Sequence, residues 1–191
     1  MKQLDDQERK IVRELIKDPR ISDNQIAKNT KVPVMTVNRK RKALEESKLL
    51  NYYCYLDTSR YGLEILSARQ LYIIKFKIGI TKKEFIEKIT NEAEIKTFFT
   101  VHELNSFVGE KDGQLIYAVV IEGGKGNEIV EIFNGKLVPM MYRLFGNDCI
   151  KETFAFRLTT QLRLLHNYMP LLNIERGKIK KTWPDDFIFV D

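Results

Sequence analysis

Residues 32–46 read VPVMTVNRKRKALEE, and this stretch decides how the first third of the chain folds. With about 100° of rotation per helical residue, Leu44 falls within about 20° of Val37, so the two share a buried face. Pro33 is suited to the first position of a helix that runs to about Glu46. Four consecutive cations lie further along: Arg39, Lys40, Arg41 and Lys42. The stretch therefore predicts an amphipathic helix with a cationic outer side.

A longer helix is predicted at the start of the chain. Its apolar residues recur at helical spacing: Leu4, Ile11, Val12, Leu15 and Ile16. Asp5 is a suitable N-cap, and Glu8 stands three residues later, as in a capping box. The Asp18-Pro19 pair ends the helix, because the residue before a proline avoids the helical conformation.

A short second helix follows, capped by Ser22 with Gln25 at the reciprocal position and with Ile26 and Ala27 turned inward. After the third helix, residues 49–56 (LLNYYCYL) are rich in strand formers and predict a β wing. Three short helices and a wing predict a winged helix-turn-helix over residues 1–56.

A second domain is predicted after a linker at residues 57–70. LYIIKFKI (71–78) predicts a strand, and Thr81 with Glu84 begins a helix. Residues 95–107 have an extended pattern, and the Lys111-Asp112-Gly113 stretch predicts a turn. LIYAVVI (115–121) predicts a strand that is buried on both faces. A helix over residues 127–145, kinked or divided at Pro139, precedes a strand at 150–158.

This βαββαβ order over residues 71–158 is the ferredoxin-like arrangement, so the predicted fold class is α+β. Residues 159–191 are a C-terminal extension. Its final TWPDDFIFVD (182–191) leaves three interpretations open: an added strand, docking on a partner chain, or a surface strap.

Charge is distributed unevenly along the chain, whose net charge is +6. Residues 1–56 hold 13 Lys/Arg and 8 Asp/Glu, whereas the rest holds 19 and 18. This asymmetry favours a polyanionic partner for the first domain. Two cysteines far apart favour neither a disulfide framework nor a metal site, and no cofactor is expected. With no apolar run of membrane-spanning length and no secretory signal, the sequence predicts a cytoplasmic protein.

The outer side of the third helix is our candidate DNA-binding surface. A lone charge run is usually a solvated surface, but this one lies on the third helix, before a wing, in the most cationic part of the chain. Arginine pairs with guanine edges and asparagine with adenine in the major groove. We expect Asn38, Arg39 and Lys42 to enter the groove beside Met35 and Thr36, and Lys40 and Arg41 to contact phosphates.

The first third also resembles a known family. LDDQERKIVRELIKDPRISDNQIAKNTKVPVMTVNRKRKALEESKLLNYYCYLD (4–57) is similar to the DNA-binding domain of the Lrp/AsnC regulators. The positions that match that family's pattern are Leu4-Asp5, Ile11, Leu15, Asp18, Arg20, Ile21-Ser22, Ile26-Ala27, Val32, Thr36-Val37, Arg39 and Leu44-Glu45. The resemblance implies a dimeric, sequence-specific regulator of transcription that binds double-stranded DNA. It further implies a second domain that forms the homodimer or a higher homo-oligomer and responds to an amino-acid effector.

Four departures from the family's pattern are visible. Lys31 replaces a glycine, Pro33 replaces an N-cap serine, and Arg41 replaces an aliphatic residue, so its stem is expected to cover the core while its head reaches outward. Residues 103–114 (ELNSFVGEKDGQ) form a longer hairpin in place of a short Gly-Asp turn near the family's effector site. Effector binding therefore stays open.

Enzymatic or anion-binding alternatives have weaker support. Residues 123–126 (GGKG) lack the spacing of a phosphate-binding loop and are interpreted as a connector, with an anion site as the alternative. His102 and His166 lack converging partners for catalysis. The main functional alternative is a tetrapyrrole-binding enzyme resembling the sirohaem decarboxylases, which share this two-domain build but need histidines and arginines around a pocket. We expect no enzyme activity.

Overall fold

The computed structural model describes residues 3–54, 68–124 and 126–190, and the chain divides into two units. The first unit combines Met1–Tyr55 with Gln161–Asp191, and the second is Leu56–Thr160. The C-terminal extension is thus part of the unit that contains the N-terminal residues, whereas the sequence predicted it as a region of its own. Tyr55, Leu56 and the predicted linker up to residue 67 lie outside the described residues.

The first unit contains the three predicted helices: α1 (Asp6–Lys17), α2 (Asp23–Thr30) and α3 (Val34–Glu46). Asp5 and Glu8 form a reciprocal capping box at the start of α1, as predicted. Ser22 caps α2 by accepting a hydrogen bond from the Gln25 N–H. The three helices enclose a small core of Ile11, Leu15, Ile26, Val32 and Val37.

Two local features near α3 differ from the sequence predictions. Pro33 is the N-cap residue and not the first helical residue, and it supplies no side-chain cap. Residues 49–54 contain no strand, so the predicted wing is wrong over that range. Strand propensity depends on packing against neighbouring strands, and no strand of the described chain pairs with this segment. Lys31 does make the turn between α2 and α3 at φ 59°, in the left-handed region that glycine would occupy more easily.

The extension folds on α1 as a surface strap with its own hairpin. Strands β5 (Ile174–Glu175) and β6 (Lys178–Ile179) pair, and a short 3₁₀ turn covers Asp185–Phe187. Three of its side chains are buried against the apolar stripe of α1, namely Ile179, Ile188 and Val190. Of the three interpretations of this segment, the surface strap agrees with the structure.

The second unit is a four-stranded antiparallel sheet with helices on one face. Its strands are β1 (Ala68–Phe76), β2 (Glu103–Lys111), β3 (Gln114–Gly123) and β4 (Ile150–Leu158), in the spatial order β2-β3-β1-β4. This is the ferredoxin-like order, as predicted. Asp112 and Gly113 form the two-residue turn between β2 and β3 with φ 54° and 72°, so most of the predicted long hairpin is strand.

Helices α4 (Lys82–Asn91), α5 (Ala93–His102), α6 (Gly126–Ile132) and α7 (Val138–Phe145) cover one face of the sheet. Residues 95–102, predicted as extended, belong to α5, because Ile95 and Phe98 are buried at helical spacing. A π-helical turn, Phe133–Leu137, joins α6 to α7 directly before Pro139. Since proline lacks an N–H, Pro139 removes one helical hydrogen bond there. The helix predicted over residues 127–145 is therefore divided near Pro139, as expected.

The fold class is therefore confirmed as α+β, with an N-terminal helix-turn-helix and a ferredoxin-like domain. The prediction that strand β3 is buried on both faces is wrong. Leu115, Tyr117 and Val119 are buried and the residues between them are only half-buried, so one face alone is fully buried. Among the described residues, no helix is both long enough and apolar enough to cross a membrane.

Candidate nucleic-acid interface

The outer side of α3 is open to solvent. Met35 is 79% exposed, Asn38, Arg39 and Lys42 are exposed, and Thr36 is half-buried. Neither Arg39 nor Lys42 forms an ion pair within the described parts of the chain. Two cations that form no ion pair in the described chain therefore lie beside a small hydroxyl, an amide and a flexible apolar side chain. This combination is suited to base edges and phosphates.

A carboxylate on α2 orients the amide on α3. The Asn38 Nδ2 donates to Asp23 Oδ2 at 2.9 Å, and Arg41 Nη1 donates to Asp23 Oδ1 at 3.0 Å. Burial opposes ionisation of Asp23, but these two hydrogen bonds outweigh it and lower its pKa below the ordinary value. Asp23 was not among the residues selected from sequence, because a separation of fifteen residues gives no local signal of this contact.

Arg41 and Lys40 are engaged inside the domain. Arg41 also donates from Nε to Glu45 Oε1 at 3.0 Å and from Nη1 to the Ile21 carbonyl at 3.3 Å. Lys40, with 12% of its side chain exposed, pairs with Asp5 and lies 3.9 Å from Glu8. The structure uses both cations to hold α3 against its neighbours, and their contact with phosphates stays a prediction.

The two units differ in net charge. The first unit carries eighteen Lys/Arg and twelve Asp/Glu, whereas the second carries fourteen of each. The whole net charge of +6 thus belongs to the unit that contains α3. Such a distribution favours association of that unit with a polyanion.

A cleft of about 400 Å³ opens between α5 and α7 on the helical side of the second unit. Phe98 and Met140 form its apolar floor, while Lys136 Nζ lies 3.1 Å from His102 Nε2 at its edge. Burial, with help from the Lys136 charge, lowers the pKa of His102. Across the cleft, Arg143 pairs with Glu94 at 2.6 Å. His102 lies at the end of a helix, not on the strand that the sequence predicted.

The glycine-rich connector is a poor anion site. The Gly124 N–H donates to the Glu128 carboxylate at 3.1 Å, so a negative charge already occupies its surroundings. A side chain on Gly123 would approach Ile129 Cγ1 to 2.9 Å, which accounts for glycine there by close packing. Lys125 lies outside the described residues. No cluster of metal-binding side chains occurs in the described segments.

On the other face of the second unit's sheet, which is largely apolar, none of the described helices packs. Strand registry places one set of side chains on it: Leu71, Ile73, Phe107, Ile116, Ala118, Val120, Phe154, Phe156 and Leu158. Phe107 is 66% exposed and Phe156 49%. An exposed apolar face of this extent is typical of an interaction surface.

Comparison with known proteins agrees with this architecture. Residues 4–50 match the family model for winged helix-turn-helix DNA-binding domains. No protein with a curated description matches the chain. A transcriptional regulator of Neisseria meningitidis, solved as its L-Met complex, is 13% identical at a TM-score of 0.62, with 88% of this chain and 97% of that chain covered.

Two further solved structures are similar over most of their length. An AsnC-family regulatory protein of Pyrococcus furiosus is 19% identical, with a TM-score of 0.57 and coverage of 83% of this chain and 91% of that chain. AsnC of E. coli is 12% identical, with a TM-score of 0.62 and coverage of 86% and 97%. The chain has the Lrp/AsnC fold.

The Lrp/AsnC fold confirms the resemblance that the first third of the sequence carries. The family model for winged helix-turn-helix domains matches residues 4–50, nearly the range predicted for the N-terminal domain. The regulators named above lend no support to the tetrapyrrole enzyme alternative. At these identities the likeness concerns fold, so function has to be argued from the surfaces described above.

Proposed function

We propose that this protein is a transcription regulator that binds double-stranded DNA sequence-specifically through the outer side of α3. The supporting observation is the exposure of Arg39 and Lys42, without ion-pair partners in the described chain, on the third helix of a helix-turn-helix unit that holds the net positive charge. A solvated surface would not need its cations concentrated in one unit while the other unit is neutral.

The proposed contacts divide by chemistry. Asn38 and Arg39 read base edges, since an amide and a guanidinium can each form paired hydrogen bonds there. Lys42 contacts a phosphate or a groove edge, while Met35 and Thr36 lie beside them against the bases. Lys40 and Arg41 hold the helix in position from inside the domain.

The regulator is proposed to act as a homodimer formed through the apolar sheet face that contains Phe107 and Phe156 and that none of the described helices covers. We call this the bare face of the sheet. A second copy of the same face covers the apolar residues around Phe107 and Phe156, because one self-complementary patch suffices for two-fold symmetry. Two α3 helices about 34 Å apart would then read a pseudo-palindromic site. Further assembly of dimers is compatible with this arrangement.

The cleft between α5 and α7 is the proposed place for an amino-acid effector. Lys136 is placed for a carboxylate, and Phe98 and Met140 offer an apolar floor to a side chain. A thermal-shift screen of the twenty amino acids tests this proposal. We expect an apolar amino acid to raise the melting temperature of the parent chain, and Lys136→Met to abolish the rise.

DNA binding is tested by gel-shift titration of the full chain at several salt concentrations. Retardation of genomic fragments should weaken steeply with salt, because each phosphate contact releases counterions. The Arg39→Ala/Lys42→Ala variant should lose binding, whereas the Lys82→Ala/Lys83→Ala control removes two exposed charges from the second unit and should bind normally. No retardation of any fragment at low salt, or equal loss in both variants, contradicts the proposal.

A further inference from the structure

A small hairpin from the C-terminal extension forms part of the DNA-binding unit. Strands β5 and β6 are joined by a two-residue turn in which Arg176 has φ 51° and Gly177 φ 78°. This geometry, with two positive φ values, matches the right-handed twist of a hairpin and directs its tip away from the strands. Arg176 is exposed at that tip.

The hairpin is held by a fixed base. Tyr168 Oη donates to the Ile16 carbonyl at 2.8 Å, and Lys17 pairs with Asp185 at 2.8 Å. Asn173, fully buried, accepts from the Met169 N–H at 2.9 Å and donates to the Asn167 carbonyl at 2.8 Å. A buried amide with both ends satisfied specifies one arrangement of the surrounding chain. The hairpin is therefore a built element of the unit and not a loose tail.

A series of polar contacts leads from the hairpin to α3. Lys178 Nζ lies 2.6 Å from Asp18 Oδ2, at the end of α1. The Ile21 N–H in turn donates to the Asp18 carbonyl at 3.1 Å, and the Ile21 carbonyl accepts from Arg41 of α3 at 3.3 Å. The hairpin thus lies beside the α1–α2 turn, which α3 also contacts.

The hairpin and its flank are cationic. Residues 174–181 hold four cations, Arg176, Lys178, Lys180 and Lys181, and one acid, Glu175. Lys178 is paired with Asp18, and Lys180 donates to the Leu172 carbonyl at 2.9 Å. Arg176 and Lys181 are exposed and have no ion-pair partner among the described residues. Two charges on this fixed support are therefore available to a ligand.

We propose that this hairpin is a second DNA contact, with Arg176 and Lys181 on the phosphate backbone of the duplex that α3 reads. The proposal rests on the DNA binding proposed above. It assigns to the C-terminal hairpin the part that a wing performs, since residues 49–54 form no strand. Arg176 and Lys181 have long, flexible side chains that suit phosphates, and phosphate contacts do not distinguish one base from another. The hairpin should therefore increase the affinity for DNA without changing the sequence preference.

The test is a salt titration of DNA binding by the full chain carrying Arg176→Ala/Lys181→Ala. The slope of log affinity against log salt should become shallower by about 1 to 2, since each lost phosphate contact removes nearly one unit. Affinity should fall by the same factor on the preferred duplex and on a scrambled duplex. Lys82→Ala/Lys83→Ala is the matched control and should keep the parental slope, and Arg176→Lys/Lys181→Arg should restore it.

The outcomes separate the two proposals. If the parent chain binds no duplex, DNA binding and the hairpin contact are both overturned. If the parent binds and the Arg176→Ala/Lys181→Ala variant keeps its slope, only the hairpin contact is overturned. A loss confined to the preferred duplex also overturns it, because that pattern belongs to base reading. An unchanged melting temperature of the variant confirms that its fold is intact.

Discussion

The Asp23 carboxylate on α2 accepts a hydrogen bond at 2.9 Å from the side-chain amide of Asn38 on α3. One amide hydrogen is used by this contact, which leaves the Asn38 oxygen and the second hydrogen for a base. Adenine offers the complementary donor and acceptor in the major groove. Asp23 therefore fixes the orientation of the Asn38 amide, and we propose that the amide meets DNA in this orientation.

Asp23→Ala should lower sequence discrimination without abolishing binding. Asn38→Ala should reduce preference at one adenine by about 1–3 kcal/mol, the range for a paired amide contact. Asp23→Ala should give part of that loss because the amide is then free to rotate. The Asp23→Ala/Asn38→Ala variant should discriminate no worse than Asn38→Ala alone, as expected for coupled residues. Additive losses in a competition assay would argue against the coupling.

Replacing Lys40 or Lys42 by methionine should affect different properties of the protein. We expect Lys40→Met to reduce stability and Lys42→Met to reduce DNA binding. Lys40→Met should reduce the free energy of unfolding by about 1–3 kcal/mol or more, because the buried Glu8 carboxylate loses a cationic neighbour. Lys42→Met should change stability by less than about 0.5 kcal/mol, since that side chain is exposed.

Urea unfolding and DNA titration of the same two proteins check this pair. Lys42→Met should weaken DNA binding, and Lys40→Met should bind normally at temperatures where it remains folded. A stable Lys40→Met protein with impaired binding would return Lys40 to the set of phosphate contacts.

A charge placed on the bare sheet face should separate the dimer. Phe107→Asp and Phe156→Asp each put a carboxylate where the proposed partner's apolar residues lie, and an unpaired buried charge is costly. Ile78→Asp is the control, because Ile78 is 81% exposed and its turn lies outside that face. Sedimentation equilibrium should show monomer for the first two variants and dimer for the control. A dimeric Phe107→Asp/Phe156→Asp double variant would place the interface elsewhere.

Acid should destabilise the DNA-binding unit through three aspartates. Hydrogen bonds and ion pairs lower the pKa values of Asp5, Asp18 and Asp23, and for the last two they outweigh burial. A group whose folded pKa is depressed stabilises the fold above its unfolded pKa of about 3.9 and loses that contribution as pH falls through the folded value. Thermal unfolding should therefore show a falling melting temperature below about pH 4.

Asp23→Asn offers a check on that origin. This variant lacks one of the titrating groups, so its melting temperature should fall less steeply below about pH 4 than that of the parent chain. An identical acid profile for both proteins would assign the loss of stability to other groups.

Local patterns were sufficient for most elements of the fold. Asp5 with Glu8 and Ser22 with Gln25 marked helix starts that the structure confirms, because capping bonds join residues three apart. The βαββαβ order followed from periodicity in the same way. Helix α5 was missed because residues 97–101 (TFFTV) are all strand formers, although Ile95 and Phe98 lie at helical spacing.

The candidate site was predicted only in outline. The exposure of Asn38, Arg39 and Lys42 follows from their angle on one helix, which sequence reports directly. The engagement of Lys40 and Arg41 with distant residues does not, because Asp5 lies at the start of α1 and Asp23 lies on α2. The Arg41–Glu45 pair is local, at a separation of four residues. A cation between the buried and exposed faces of a helix can point to solvent or to a neighbouring helix. Which of the two occurs depends on how the helices pack against each other.

The sequence by itself determined most of the helices and strands and their order, since these depend on neighbours a few residues apart. It also showed that the positive charge is concentrated near the N-terminus. Only the tertiary structure decided that residues 161–190 return to α1, that Asp23 orients Asn38, and which cations remain free. Those outcomes depend on pairings across as many as 168 positions, as between Lys17 and Asp185. Burial of complementary apolar surface and charge selects such pairings, and no periodicity along the chain records them.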